Sequence, residues 1–205
     1  MTKPRLIYFD FAGSRGEECR IALHLGGIAF EDVRIPGAEW PALKPKTPFG
    51  ALPVLELPGK APIADSNAIL IYVGRQCGLH PTDNYEAAWH EALMGYVEDL
   101  RHHVGPTLRI TDETEKRAAR EELGRNYLPV WGQNVEKLLG DHPFVGGTNI
   151  NVVDLKLYMI VRWFVSGVVD YVPVNVFDAC PKLMRIHQSV AEHAGVKAYL
   201  LCIGK

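Results

Sequence analysis

The chain has 205 residues and 47% hydrophobic content, enough for one ordinary core or for two small domains. Its net charge is −2 with no long charge run, which argues against a nucleic-acid partner. No stretch approaches the roughly 18–20 apolar residues of a membrane span, and the first residues lack the apolar core and cleavage pattern of a signal peptide.

In chain order, "RLIYFDF" is short, apolar and bounded by turn residues, which predicts a strand. "GEECRIALHLGG" mixes Ile21, Leu23 and Leu25 with Glu17, Glu18 and Arg20, then stops at two glycines, which predicts a helix. "FEDVRIP" is a second strand ended by Pro36, and the proline-rich "WPALKPKTPFGA" is expected to be irregular. "LPVLELPGKAPIAD" reads as two strands around Pro58-Gly59-Lys60. "SNAILIYVGRQCG" predicts a helix with Ser66 as its N-cap and Gly78 as its stop. The order β-α-β, loop, β-β-α argues for a small α/β layer over residues 1–79.

Residues 79–86, "LHPTDNYE", form the expected linker. From residue 86 to 205 the strand signals nearly vanish and an all-helical domain is expected. Trp89, Leu93, Tyr96, Val97 and Leu100 make one apolar stripe, which Gly105-Pro106 should bend or end. A second helical stretch from Asp112 is strained at Pro129, a third runs from Asn151 to about Val165, and a fourth starts at Pro181. There is no internal repeat. Cys19, Cys77, Cys180 and Cys202 form no C-x-x-C pair, so zinc ligation and dithiol chemistry are not expected. Reduced thiols and a cytoplasmic location are expected instead.

Four stretches carry a family resemblance: "YF" at 8–9 with "RGEECR" at 15–20, "EWPALKPKTPFGALPVLE" at 39–56, "DSNAILIYV" at 65–73, and "GGTNINVVDLKLY" at 146–158. On these residues the whole chain resembles the soluble glutathione transferases, most nearly the sigma class that includes the prostaglandin D synthases. The resemblance implies a thioredoxin-like domain followed by a helical bundle. It implies glutathione as co-substrate, no metal, an electrophilic small-molecule acceptor and a homodimer.

A transferase must lower the cysteinyl pKa of glutathione, normally near 8.5, by roughly two units, which is about 3 kcal/mol of thiolate stabilisation. One hydrogen bond to a charged group supplies about 1.5–3 kcal/mol, and a helix N-terminus about 0.3–1 kcal/mol. One well-placed donor is therefore nearly sufficient. Tyr8 ends the first strand, its phenol is a stronger donor than an aliphatic hydroxyl, and the resemblance places it on the catalytic tyrosine. Ser14 is the runner-up: other transferase classes use a serine or cysteine near this position, and the loop "DFAGSRG" is one residue longer than the usual sigma pattern. An ordinary loop serine would instead cap the helix or form a local turn. Arg15 matches the family's loop arginine, which assists the thiolate electrostatically. Cys19 lies one turn inside the helix, past the position that activates thiols.

For the rest of glutathione, Ser66 and the first amides of its helix form an anion site for the γ-glutamyl carboxylate. The resemblance implies that Asp65 receives the γ-glutamyl ammonium. It implies that Leu52, before a cis Pro53, pairs with the cysteinyl backbone like an added strand, and that Trp40 and Lys44 bind the glycyl end. Asp99, with Glu98 as the neighbouring alternative, is expected to reach the partner subunit's γ-glutamyl amine. Asn151 and Asp154 resemble the family's buried capping box, a structural feature. By position alone, Phe11, Arg101, Lys156, Ile160 and the "AYLLCIGK" tail are candidates for the acceptor pocket, with the two cations hinting at an anionic acceptor. The expected activity is glutathione transfer. The alternatives are a glutathione-dependent isomerase or peroxidase on the same thiolate, or a non-catalytic glutathione-binding or structural protein.

Overall fold

A computed structural model describes residues 3–204; Lys205, the last residue of the tail, lies outside the described residues. The chain divides into two compact units, one running to Asp83 and including the residues from His193 onward, the other Asn84–Glu192.

The first unit is built on a four-stranded sheet of order β2-β1-β3-β4, from β1 (Arg5–Phe9), β2 (Glu31–Ile35), β3 (Val54–Glu56) and β4 (Ile63–Ala64). β1 pairs parallel with β2 through the helix α1 (Ser14–Leu25), and antiparallel with β3, which pairs antiparallel with β4. The parallel pair needs a crossover, and α1 supplies it. The segment expected to be irregular is instead wound into short turns: a 3₁₀ turn at Gly37–Glu39, the helical turn α2 (Trp40–Leu43) and a second 3₁₀ turn at Lys44–Lys46. Pro41 and Pro45 sit in first turns, where a missing N–H costs nothing.

Helix α3 (Ser66–Cys77) stops at Gly78, whose φ of 70° is left-handed, as its sequence predicts. Its start differs. Asp65, not Ser66, is the N-cap, and its carboxylate accepts from the amides of Asn67 and Ala68 at 2.8 and 3.3 Å. Asp65 has φ 78°, a conformation Asp tolerates better than most residues, and this turns its side chain back onto the helix.

In the second unit, α4 (Asn84–Thr107) ends one residue after Pro106. Helix α5 (Glu113–Glu122) is capped by Asp112, then a π-helical turn at Leu123–Tyr127 leads into α6 (Leu128–Leu138). That turn is where the strain expected at Pro129 is absorbed: the proline enters the first turn of a new helix rather than interrupting an old one. Helix α7 (Val152–Val165) is buried from Val152 through Val161, and packs against α4 and α8 (Pro181–Glu192). Asp154 accepts from the amides of Asn151 and Val145 at 2.7 and 2.8 Å, so the acidic half of the capping box is present. Its burial pushes the carboxyl up to about 7 despite these backbone donors.

The last helix, α9 (Ala194–Cys202), packs on α1 and groups with the first unit, whereas the sequence places the whole chain after residue 86 in the helical domain. Tertiary contact assigns this helix, because its local pattern is helical in either location. No helix among the described residues is long and apolar enough to cross a membrane.

Candidate active site

The sheet brings the site residues of the first unit to one end. β1 pairs with β3 at Ile7–Val54, and β3 with β4 at Val54–Ala64. The next residues on those strands are Tyr8, Pro53 and Asp65, so three distant segments end side by side. Phe9 pairs with Ile35 at the same end, where β2 leads into the turns carrying Trp40 and Lys44.

Tyr8 is buried, with Phe9 and Phe11 packed around its ring at 5.5 Å between centroids. The ring lies directly on the first turn of α1: a Cβ at Gly16 would stand 2.1 Å from Tyr8 Cδ1. Only glycine fits there. Gly16 thus sets how closely the helix start approaches the phenol, a feature the sequence reading missed.

Ser14 is the first residue of α1 and is buried, with φ 57° after Gly13 at φ 147°. Neither residue gives the helix a side-chain cap, so Ser14 is not the helix cap that a loop serine would ordinarily be. Arg15 is half-buried in the same turn. Cys19 is buried, and neither it nor Cys77, Cys180 or Cys202 takes part in a disulfide among the described residues.

The Leu52-Pro53 bond is cis. Leu52 packs on the Ile7, Val54 and Ala64 cluster, and the ladder begins only at Val54, so its backbone edge precedes the paired strand. Trp40 meets Phe9 edge-on at 5.4 Å. Lys44 is exposed, with its stem over Gly50, and no ion pair forms at its ammonium among the described residues. Asp65 Oδ1 takes both cap bonds, which leaves Oδ2 on an exposed residue. Ser66 is buried at the first helical position. The amides of Asn67 and Ala68, which the sequence reading offered to a ligand, are taken by Asp65.

In the helical unit, Glu98 and Asp99 part company. Glu98 Oε1 holds Lys156 Nζ at 2.6 Å and Arg101 Nη1 at 2.7 Å, while the Asp99 side chain is exposed. Lys156 and Ile160 are 0% exposed and Arg101 3%, so the cations offered to an acceptor are committed to the junction of α4 and α7. Among the acceptor candidates, Phe11 is exposed, and its ring stacks on Phe9 beside Tyr8.

Beneath the loop lies a cluster that the sequence reading did not assemble. Arg20 donates to Asp32 at 2.8 Å and Glu17 at 3.1 Å, and Glu17 accepts from Tyr199 at 2.9 Å. Burial alone would lower the Arg20 pKa; the two carboxylates outweigh it and hold it up. Burial, then the charge of Glu17, pushes the Tyr199 phenol up, so it remains a donor. The i, i+3 spacing of Glu17 and Arg20 was the one available signal; nothing local pointed to Tyr199.

Models of the glutathione S-transferase N-terminal and C-terminal domains match residues 9–81 and 98–201. Glutathione S-transferase 1 of Ascaris suum is 39% identical over 126 residues, which is 60% of this chain and 60% of that protein. The hematopoietic prostaglandin D synthase of Gallus gallus is 28% identical over 98% of this chain and 96% of its own. The crystal structure of the glutathione S-transferase from Ascaris lumbricoides superposes with a TM-score of 0.79 at 29% identity, covering 97% of this chain and 96% of that one. With family models matched in both halves and the sheet end arranged around Tyr8, the chain belongs to the glutathione S-transferase family.

Proposed function

We propose that this chain is a glutathione transferase of sigma type in which the Tyr8 phenol donates to the glutathione thiolate for attack on an electrophilic small molecule. The observation that carries it is the convergence of Tyr8, Pro53 and Asp65 at one end of the sheet. An extended tripeptide laid along the Leu52 edge takes backbone bonds there, as an added strand does. Its thiol then falls toward Tyr8, its γ-glutamyl ammonium toward Asp65 and its glycyl carboxylate toward Lys44 and Trp40. Arg15 adds positive charge at the loop, Ser66 offers its hydroxyl to the γ-glutamyl carboxylate, and Phe11 supplies an apolar surface for the acceptor.

The active unit is a homodimer in the cytoplasm, with Asp99 of one copy reaching the glutathione of the other. The bonds of Glu98 to Lys156 and Arg101 favour Asp99 over it for that role. A second reading, a glutathione-dependent isomerisation on the same thiolate, is favoured by the similarity to the prostaglandin D synthase of Gallus gallus.

The test is the thiolate absorbance of bound glutathione against pH, with turnover of a chlorinated nitrobenzene. Tyr8→Phe is expected to raise the thiolate pKa by one to two units, since a charged hydrogen bond is worth about 1.5–3 kcal/mol. Ser14→Ala is expected to leave it in place. The reverse pattern moves the activating role to Ser14. Binding to glutathione resin without turnover of any electrophile supports a non-catalytic module instead.

A further inference from the structure

Within the first unit a buried chain of side chains runs from the last helix to the loop after Tyr8. Tyr199 on α9 donates to Glu17 Oε1 at 2.9 Å, and Glu17 Oε2 accepts from Arg20 Nη1 at 3.1 Å. The same Nη1 donates to the Phe11 carbonyl at 3.2 Å, and Nη2 reaches the Phe9 carbonyl at 3.5 Å. Nε donates to Asp32 Oδ1 at 2.8 Å, and Arg34 bridges Asp32 to Asp10. Tyr199 is 6% exposed, and Glu17 and Arg20 are 1%. His24 meets the Tyr199 ring edge-on at 5.5 Å, and a Cβ on Gly195 would stand 2.4 Å from Leu25, so α9 lies hard against α1.

Two features set this cluster apart from ordinary buried packing. Burying ions is costly, and apolar residues of the same volume often stabilise a fold as well or better. An apolar cluster, however, cannot hold the Phe9 and Phe11 carbonyls, which flank the point where the chain leaves β1. The guanidinium carbon also lies 5.8 Å from the centre of the Tyr8 ring. One guanidinium between two carboxylates leaves little net field for a thiolate, so its effect on the site is geometric.

We propose that Arg20 and Tyr199 are positioning residues for thiolate activation. Arg20 sets the course of the chain beyond Tyr8 through the Phe9 and Phe11 carbonyls. Tyr199, from the far end of the sequence, holds Glu17 in the orientation that aims the Arg20 fork. The inference rests on Tyr8 as the activating group.

The experiment titrates bound glutathione thiolate in Tyr199→Phe and Arg20→Lys, beside wild type and Tyr8→Phe. Tyr199→Phe removes one hydroxyl and is expected to raise the thiolate pKa by about half a unit. Arg20→Lys keeps the charge but loses the fork. It is expected to raise the pKa by about one unit and to lower kcat near neutral pH about tenfold, with KM for glutathione changed by less than about twofold. The loss in kcat should close as the pH passes the raised pKa. A merely structural cluster changes the melting temperature without moving the titration.

An unshifted thiolate in Tyr199→Phe overturns the inference, and Arg20→Lys decides alone if Tyr199→Phe does not fold. If Tyr8→Phe shifts the thiolate and neither of these variants does, the transferase reading stands and the inference falls. If Tyr8→Phe itself leaves the thiolate unshifted, both fall.

Discussion

Each unit buries a cluster of charge, and the two are built differently. In the first, Arg20 spreads its donors over two carboxylates and two backbone carbonyls, one at the end of β1 and one in the loop after it. In the second, Glu98 ties Lys156 and Arg101 together, side chain to side chain, across α4 and α7. A cluster that grips backbone in a loop governs the shape of a site. One that joins two helices governs how firmly they stay together. Substitutions in the helical unit should therefore be read in stability, and those beneath the loop in catalysis.

The largest effect is expected at Asp154, which is fully buried and accepts two backbone amides. Asp154→Ala leaves the buried Val145 amide and the half-buried Asn151 amide without their acceptor and should cost about 4 kcal/mol in urea unfolding. A loss under 1 kcal/mol would show that water or relaxation replaces the carboxylate. The same residue gives a pH signature. Its folded pKa, raised by burial to about 7, exceeds its unfolded value near 3.8, so the charged form is disfavoured in the fold. Its stabilising contribution is complete below pH 3.8 and is lost as pH rises through about 7. Asp154→Asn, less stable overall, should lack this decline. Equal slopes in wild type and variant would refute the assignment.

Next, Glu98→Ala removes the carboxylate that Lys156 and Arg101 share and should cost about 3 kcal/mol, measured by thermal and urea melts. Gly16→Ala inverts the pattern. The new methyl must displace the Tyr8 ring or the helix start, at about 2 kcal/mol, while turnover falls about tenfold and the thiolate pKa rises. A variant that loses stability but keeps its turnover would break the distinction between the two units. The smallest effect belongs to Arg5, which bonds Glu31 and Glu56 at 3.2 and 2.6 Å on the open surface of β1. Arg5→Ala should change stability by less than about 0.5 kcal/mol, because exposed pairs exchange one well-solvated state for another.

Much of this was legible in the residues. "RLIYF" and "EDVRI" are strands because their apolar and β-branched runs are short and flanked by turn formers. Gly78 ends α3 and Asn151 starts α7 because these residues satisfy a helix end locally. Misses arose where two residues were equally suited or where the deciding contact was remote. Asp65 and Ser66 are both good caps, and the left-handed turn at Asp65 decides between them. Glu98 and Asp99 are adjacent acids, and only the packing of α7 on α4 commits the first and leaves the second exposed.

By itself the sequence determined the order of elements, the helix ends and the residue types a glutathione site needs. Each of these follows from interactions within a few residues or from a motif kept intact along the chain. The tertiary structure decided which charges meet and how closely. Tyr199 finds Glu17 across 182 residues, and Gly16 admits the Tyr8 ring because a helix start and a strand end come within contact of each other. Such encounters leave no periodicity or spacing in the chain, since they depend on where whole elements pack.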